Sequence, residues 1–336
     1  GSRDTTGFIQ SFTGSHRYVL DYLIQEVLER QSESVQRFLL QTSVLDRLTG
    51  SLCDAVRGAS CKDTGQGNGS TVLRGASCRD TTSGQAILVM LDRTNLFIIP
   101  LDEERRWYRY HHLFADLLRQ RLRQPQLEQV PTLHIRASEW FEQNGFADEA
   151  IEHALRAEDF EQAAHLLKEH IDAIWGRGEH GKLQNWLAKF PIELVFSKPY
   201  LCIFYAWYLF ASGNQDAAER ALQAAEQALD PSAERATETW LLDHADCMSD
   251  SDRMKLRGKA AAIRAFMDSY RDDVSGIILH ARQALEYLPE QDLPMRSLAA
   301  IALGDAYAIK GEMVAAYQAR VEAVEVSRSP ANTVYL

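Results

Sequence analysis

Beyond residue 131 small side chains return at fixed distances from a set of turn residues, and that register restricts the chain to close-packed antiparallel helices. The turns are Gly145, Gly213, Asp272 and Gly311. Five residues on stand Ala150, Ala218, Ile277 and Ala316; nine on stand Ala154, Leu222, Ala281 and Arg320. Twelve on stand Ala157, Ala225, Ala284 and Ala323, and seven before the turns stand Ser138, Ala206, Ala265 and Gly304. Phe141 and Tyr307 lie four before their turns, where a large side chain fills the space the small ones leave. Alanine or glycine at a crossing lets two helix axes approach closely. The spacing predicts tetratricopeptide-like hairpins over 131–336, stacked into a superhelix with a concave face. Pro231 and Pro289 fall where second helices should stop. Because the turns are unevenly spaced, extra helices are expected between the regular hairpins.

The part before residue 131 follows another plan. Residues 15–48 read as two amphipathic helices, one carrying Val19, Tyr22, Leu23 and Val27, the other (34–48) Val35, Phe38, Leu39 and Leu45. Ser32, Glu33 and Ser34 would start the second. From Arg57 to Gly84 the sequence turns to Gly, Ser, Thr and Asp, and RGASCKDT at 57–64 returns as RGASCRDT at 74–81. Such a stretch cannot bury enough apolar surface to offset its ordering entropy, so a disordered insertion without function of its own is expected. Structure resumes with a helix over 86–95, strands over 96–101 and 106–110 around the polar turn Asp102 to Arg105, and a helix over 111–123. Helices, then a hairpin, then a helix is the order of a winged-helix module. The fold class is therefore mainly α. Its divisions are a helical lead-in with the first winged-helix helices (1–56), the insertion (57–83), the rest of the winged helix (84–130, hairpin 96–110) and the repeat region (131–336).

Charge narrows the function. Lys and Arg number 36 against 47 Asp and Glu, a net charge of -11, which argues against the chain as a whole coating nucleic acid or an anionic membrane, since both need a basic face. It contains no run of eighteen apolar residues and no apolar secretory core at its start. Five scattered cysteines without a Cys-x-x-Cys pair argue against a disulfide framework and a thiolate metal site. A cytoplasmic location is expected.

Four groups of residues carry chemical signals. Gly176 to Lys182 (GRGEHGK) matches the start of a phosphate-binding loop, but Leu183 stands where the hydroxyl for magnesium belongs and no strand precedes it. It reads as a helix–helix turn. His111 and His112 open a helix after the hairpin, and two readings stand: one ring packed and one exposed, or an imidazole N–H reaching a nucleotide phosphate held by a neighbouring domain. Arg105, Arg106, Arg109, Arg119, Arg121 and Arg123 surround Trp107, Tyr108 and Tyr110, a nucleic-acid-like mixture diluted by Glu103, Glu104 and Asp116. The aromatic run from Phe196 to Phe210 is mostly expected to be core, with Tyr200, Phe204, Trp207 and Tyr208 as candidates for a ligand stacking on rings. No arrangement of nucleophile and base has a recognisable catalytic signature, and the chain is expected not to be an enzyme.

These residues carry a resemblance. Asn95 to Asp102 (NLFIIPLD) with Arg106 to Phe114 (RWYRYHHLF) resembles the winged-helix segment of MalT-like ATP-dependent transcription regulators of the LuxR class, which are signal-transducing ATPases with numerous domains. Tyr18 to Leu28 is similar to that family's helix before the winged helix; Trp140 to Leu155 and Leu183 to Pro191 are similar to its first helical-repeat blocks. The resemblance implies a switch. A nucleotide-binding domain upstream holds ADP at rest, an inducer or protein on the concave helical face permits ATP exchange and self-association, and a C-terminal helix-turn-helix binds DNA. In that scheme His111 matches a winged-helix histidine that touches the ADP phosphate. The chain itself shows neither a P-loop core before residue 15 nor a helix-turn-helix at its end, so alone it is expected to bind no nucleotide and no operator. A helical-repeat scaffold for protein partners, without nucleotide or inducer, is the alternative.

Overall fold

The computed structural model describes residues 28–58, 83–94, 96–123, 129–230 and 248–327. The expected first helix up to residue 27, the insertion from 59 to 82 with its direct repeat, and Pro231 lie outside the described residues. The chain divides into two compact units, Gly1–Asp159 and Phe160–Leu336.

In the first unit, α1 (Glu33–Thr42) starts at Ser32, whose hydroxyl accepts from the Val35 N–H. The sequence predicts this helix to residue 48, yet it stops at Thr42. There the hydroxyls of Thr42 and Ser43 donate back to the Phe38 and Leu40 carbonyls, both at 2.7 Å, and close the last turn. Leu48 then pairs with the wing: its N–H donates to the Tyr108 carbonyl at 2.8 Å and its carbonyl accepts from the Tyr108 N–H at 2.9 Å. A further helix, α2 (Gly50–Arg57), follows, capped by the Thr49 hydroxyl and ended by Gly58 at φ +72°. Leu45, Leu48, Leu52 and Val56 keep a helical three- and four-residue spacing straight through the break, which conceals it.

α3 (Gly84–Arg93) begins at Ser83 and lies so close to α2 that a Cβ on Gly84 would stand 2.6 Å from the Gly50 carbonyl oxygen. The Gly84 N–H donates to Asp54 at 2.7 Å. Strands β1 (Ile98–Pro100) and β2 (Tyr108–Tyr110) pair antiparallel, Ile98 opposite Tyr110 and Pro100 opposite Tyr108. Asp102 fixes their turn by accepting from the backbone N–H of Arg106 at 2.7 Å and Trp107 at 3.2 Å. α4 (His112–Arg123) completes the winged helix over a core of Phe38, Leu48, Leu52, Leu88, Tyr108 and Phe114. The first repeat hairpin, α5 (Val130–Gln143) and α6 (Ala147–Arg156), belongs to the same compact unit.

The second unit contains α7 (Phe160–Gly176), α8 (His180–Leu187), α9 (Ile192–Ser197), α10 (Pro199–Ala211), α11 (Gln215–Ala228), α12 (Asp250–Ser269), α13 (Val274–Tyr287), α14 (Leu293–Ile309) and α15 (Met313–Ser327). All four turn residues read from the sequence are left-handed: Gly145 at φ +78°, Gly213 at +81°, Asp272 at +55° and Gly311 at +79°. The helix-ending left-handed residue is usually glycine because a Cβ is strained there. Every small residue of the register is buried. Ser138 shows why a hydroxyl is tolerated among them: it donates to the Ala150 carbonyl of the partner helix at 2.8 Å. Arg320 is the exception, exposed at the nine-residue place, and a Cβ on Gly304 would meet its Cγ at 2.8 Å. The missing side chain at Gly304 makes room for the arginine stem.

The loop-like segment Gly176 to Lys182 is the turn between α7 and α8, with Gly178 at φ +70° and Lys182 ion-paired to Glu179 at 2.5 Å.

Candidate coupling site in the winged helix

His111 sits between β2 and α4. Its N–H donates to the Phe97 carbonyl at 2.7 Å, and its own carbonyl accepts from Phe114 and Ala115 at 3.0 and 2.9 Å. The backbone is thus fixed on both sides, joining wing to helix. The imidazole is half-buried, edge-on to Phe97 at 6.4 Å and beside the exposed His112 ring at 4.3 Å. Neither ring nitrogen has a hydrogen-bond partner among the described residues. The group is oriented, yet its donor is free.

The arginines around it mostly have internal partners. Arg105 pairs with Asp92 at 2.5 Å and Arg106 with Glu104 at 2.6 Å. Arg119 donates to the Ser43 carbonyl at 2.8 Å and to Asp46 at 2.7 Å, and Arg121 lies 3.8 Å from Glu29. Arg109 faces outward from the middle of β2. The neighbouring aromatics are not a stacking platform: Tyr108 and Tyr110 are buried, the latter with its hydroxyl 2.7 Å from that of Thr42. Burial pushes both phenols up from their ordinary range.

Arg47, which no sequence pattern singles out, is half-buried among aromatic rings. Its guanidinium carbon is 4.3 Å from the Trp107 ring centroid, 4.4 Å from Phe146 and 5.8 Å from Phe141. Glu149 accepts from it, while its Nε is buried with no hydrogen-bond partner among the described residues. Trp107 and Phe146 meet edge to face at 5.6 Å, and Trp140 lies parallel to Phe146 at 6.2 Å. Next to this box Asp46 bridges Arg119 and Arg156, the latter at 3.1 Å. Burial alone would raise the Asp46 carboxyl, but the two guanidinium groups outweigh it and hold the pKa below the ordinary value.

In the second unit, Tyr200 is buried and donates to the Ala164 carbonyl at 2.8 Å, and Phe204 is buried against Trp175 at 5.3 Å. Trp207 is half-buried between Trp175 at 5.1 Å and Phe266 at 4.9 Å, whereas Tyr208 meets Tyr205 at 5.5 Å. Two of the four candidate rings are therefore core, and the other two join different aromatic groups. Lys259 was missed altogether: it is 2% exposed, bonded to Asp172, 3.4 Å from Asp292 and 5.6 Å from the Phe204 ring. Alanines at 260–262 hide it in an apolar-looking stretch.

Residues 24–130 match the family model of the MalT winged helix domain, and residues 258–335 match that of the MalT-like TPR region. The chain is MalT-like. The HTH-type transcriptional regulator MalT of Yersinia pestis is 27% identical over 311 residues, covering 93% of this chain and 30% of that protein. The serine/threonine-protein kinase PknK of Mycobacterium tuberculosis is 27% identical over 277 residues, covering 82% of this chain and 22% of that protein. The MalT-like chain thus spans less than a third of these curated relatives. Its winged-helix match stops at residue 130, whereas its first compact unit runs on to Asp159 and takes in the hairpin that encloses Arg47. No described helix of the MalT-like chain is long and apolar enough to cross a membrane.

Proposed function

We propose that this chain is the regulatory middle of an inducer-responsive, ATP-dependent transcription activator. The winged helix reads the nucleotide state of a domain that precedes it, and the helical repeat carries the face on which an inducer or protein partner binds. ATP or ADP is held by the preceding domain. From this chain His111 contributes one hydrogen bond to a phosphate oxygen, and DNA is bound through a helix-turn-helix at the other end of the regulator. Activation includes self-association. Inducer and ADP oppose each other because each favours a different arrangement, so each weakens the other's binding by the same factor.

The observation that carries this reading is His111, whose backbone is fixed by hydrogen bonds on both sides while neither ring nitrogen has a partner among the described residues. Its test is His111→Ala in a protein that carries this chain behind its nucleotide-binding domain. A single charge-assisted hydrogen bond contributes about 1.5–3 kcal/mol, so ADP affinity should fall at least tenfold and basal activation should rise. Unchanged ADP affinity contradicts the assignment.

The kinase relative favours a second reading, in which the same pair of regions is the signal-input arm of an effector other than a transcription activator. A protein-binding scaffold without nucleotide or inducer belongs to this reading. Nucleotide-independent behaviour of the whole protein would select it.

A further inference from the structure

We infer that Arg47 is the coupling residue between the wing and the first helical hairpin, so that residues 28–159 act as one lever. The winged helix would then not end where the repeat begins. The two rings against the guanidinium come from different places. Trp107 follows the wing turn directly, its N–H bound to Asp102 at 3.2 Å, so its position is set by that turn. Phe146 follows Gly145 in the turn between α5 and α6, its N–H bound to the Phe141 carbonyl at 2.9 Å. A displacement of the wing turn must move Trp107; it reaches Phe146 both by the direct ring contact at 5.6 Å and through Arg47, and it reaches Glu149 through Arg47.

Other links run beside it. Asp46 joins Arg119 to Arg156, and Arg136 donates to the Val56 carbonyl at 3.2 Å. The Asp46 pairs are solvent-accessible and so weakened by screening. Arg47 differs because a planar cation against aromatic faces gains attraction as water is excluded, and its Nε is buried with no acceptor among the described residues. A lysine keeps the charge opposite Glu149 but has no flat face to lay on Trp107.

The role of this clamp in signalling rests on the function proposed above, but the clamp itself is measurable on the full chain alone. Amide hydrogen exchange would be compared for the wild type, Arg47→Ala, Arg47→Lys, Trp107→Ala and the Arg47→Ala/Trp107→Ala pair. Loss of the clamp should raise exchange at residues 146–155 on the order of tenfold, with residues 250–327 unchanged. Arg47→Lys should behave like Arg47→Ala, and Trp107→Ala should add less once Arg47 is gone than it costs alone, keeping only the loss of its direct ring contacts with Phe146 and Trp140. Wild-type protection in Arg47→Lys, or simple addition of the Arg47 and Trp107 effects, overturns the inference. Should Arg47→Ala lose helix content, the lysine variant and Trp107→Ala still decide. Either contrary result removes the clamp and leaves the His111 assignment untouched, because that assignment is read from ADP affinity.

Discussion

The Nδ1 atoms of His134 and His153 lie 2.8 Å apart inside the first helical hairpin, one ring on α5 and one on α6. Only one proton fits between two nitrogens at that separation, so one imidazole donates and the other accepts. Burial, with Arg156 nearby, lowers His134 to about 4; burial, then His134 itself, lowers His153 to about 3. Asp46 opposes both shifts and Arg119 reinforces them.

The pH dependence follows from that depression. The folded chain keeps both rings neutral, whereas the unfolded chain takes up protons below about pH 6.5. The pair's contribution is therefore fully present above about pH 6.5 and is lost as the pH falls towards the depressed values. Thermal unfolding from pH 7.5 to 4.5 should show a falling Tm, with a shallower fall in His134→Leu/His153→Leu. Equal slopes for the two proteins would count against the pair.

Lys259→Ala should be among the most destabilising substitutions in the second unit. It leaves the largely buried Asp292 carboxylate without its cation, whereas the half-exposed Asp172 keeps Lys255 at 2.5 Å. Breaking a buried ion pair on one side costs about 3–5 kcal/mol, readable as a shift of the urea midpoint. Lys259→Met with Asp292→Asn should recover part of the loss. A midpoint within error of wild type for the single variant would refute the burial argument.

The small-residue register predicts a contrast between equivalent places. Ala281 is fully buried nine residues after its turn, while Arg320, nine after the next, is exposed. Ala281→Leu should cost about 1–3 kcal/mol by overpacking. Arg320→Ala, which removes an exposed pair with Asp305 at 2.7 Å, should cost under about 1 kcal/mol. Equal costs would show that the register does not govern packing.

How far the fold was legible depends on what each signal measures. The turns at Gly145, Gly213, Asp272 and Gly311 and the buried alanines could be read directly, because a close helix crossing admits few side chains. Even Asp272, which lacks glycine's freedom, was placed by the register of its neighbours. The break after Thr42 was not legible: apolar periodicity reports which face is buried, not whether the backbone stays helical. The clues were local, in Thr42, Ser43 and Thr49, whose hydroxyls stop one helix and cap the next.

The candidate site stands out in the sequence only where chemistry and position coincide. His111 stood out because it follows a strand and opens a helix. Arg47 did not, since its partners Trp107 and Phe146 lie 60 and 99 residues along the chain and no periodicity links them. Tyr200 and Phe204 attracted attention as aromatics, yet an aromatic-rich helix with apolar residues on every side is what a buried helix requires.

In the proposed switch this chain senses which nucleotide the preceding domain holds. The most direct test of that role is a calorimetric titration of the chain into that domain, loaded with ADP and then with ATP. Binding to the ADP form should be at least tenfold tighter, with the difference lost in His111→Ala. Equal affinity for the two forms, or a preference that survives without the imidazole, would contradict that role.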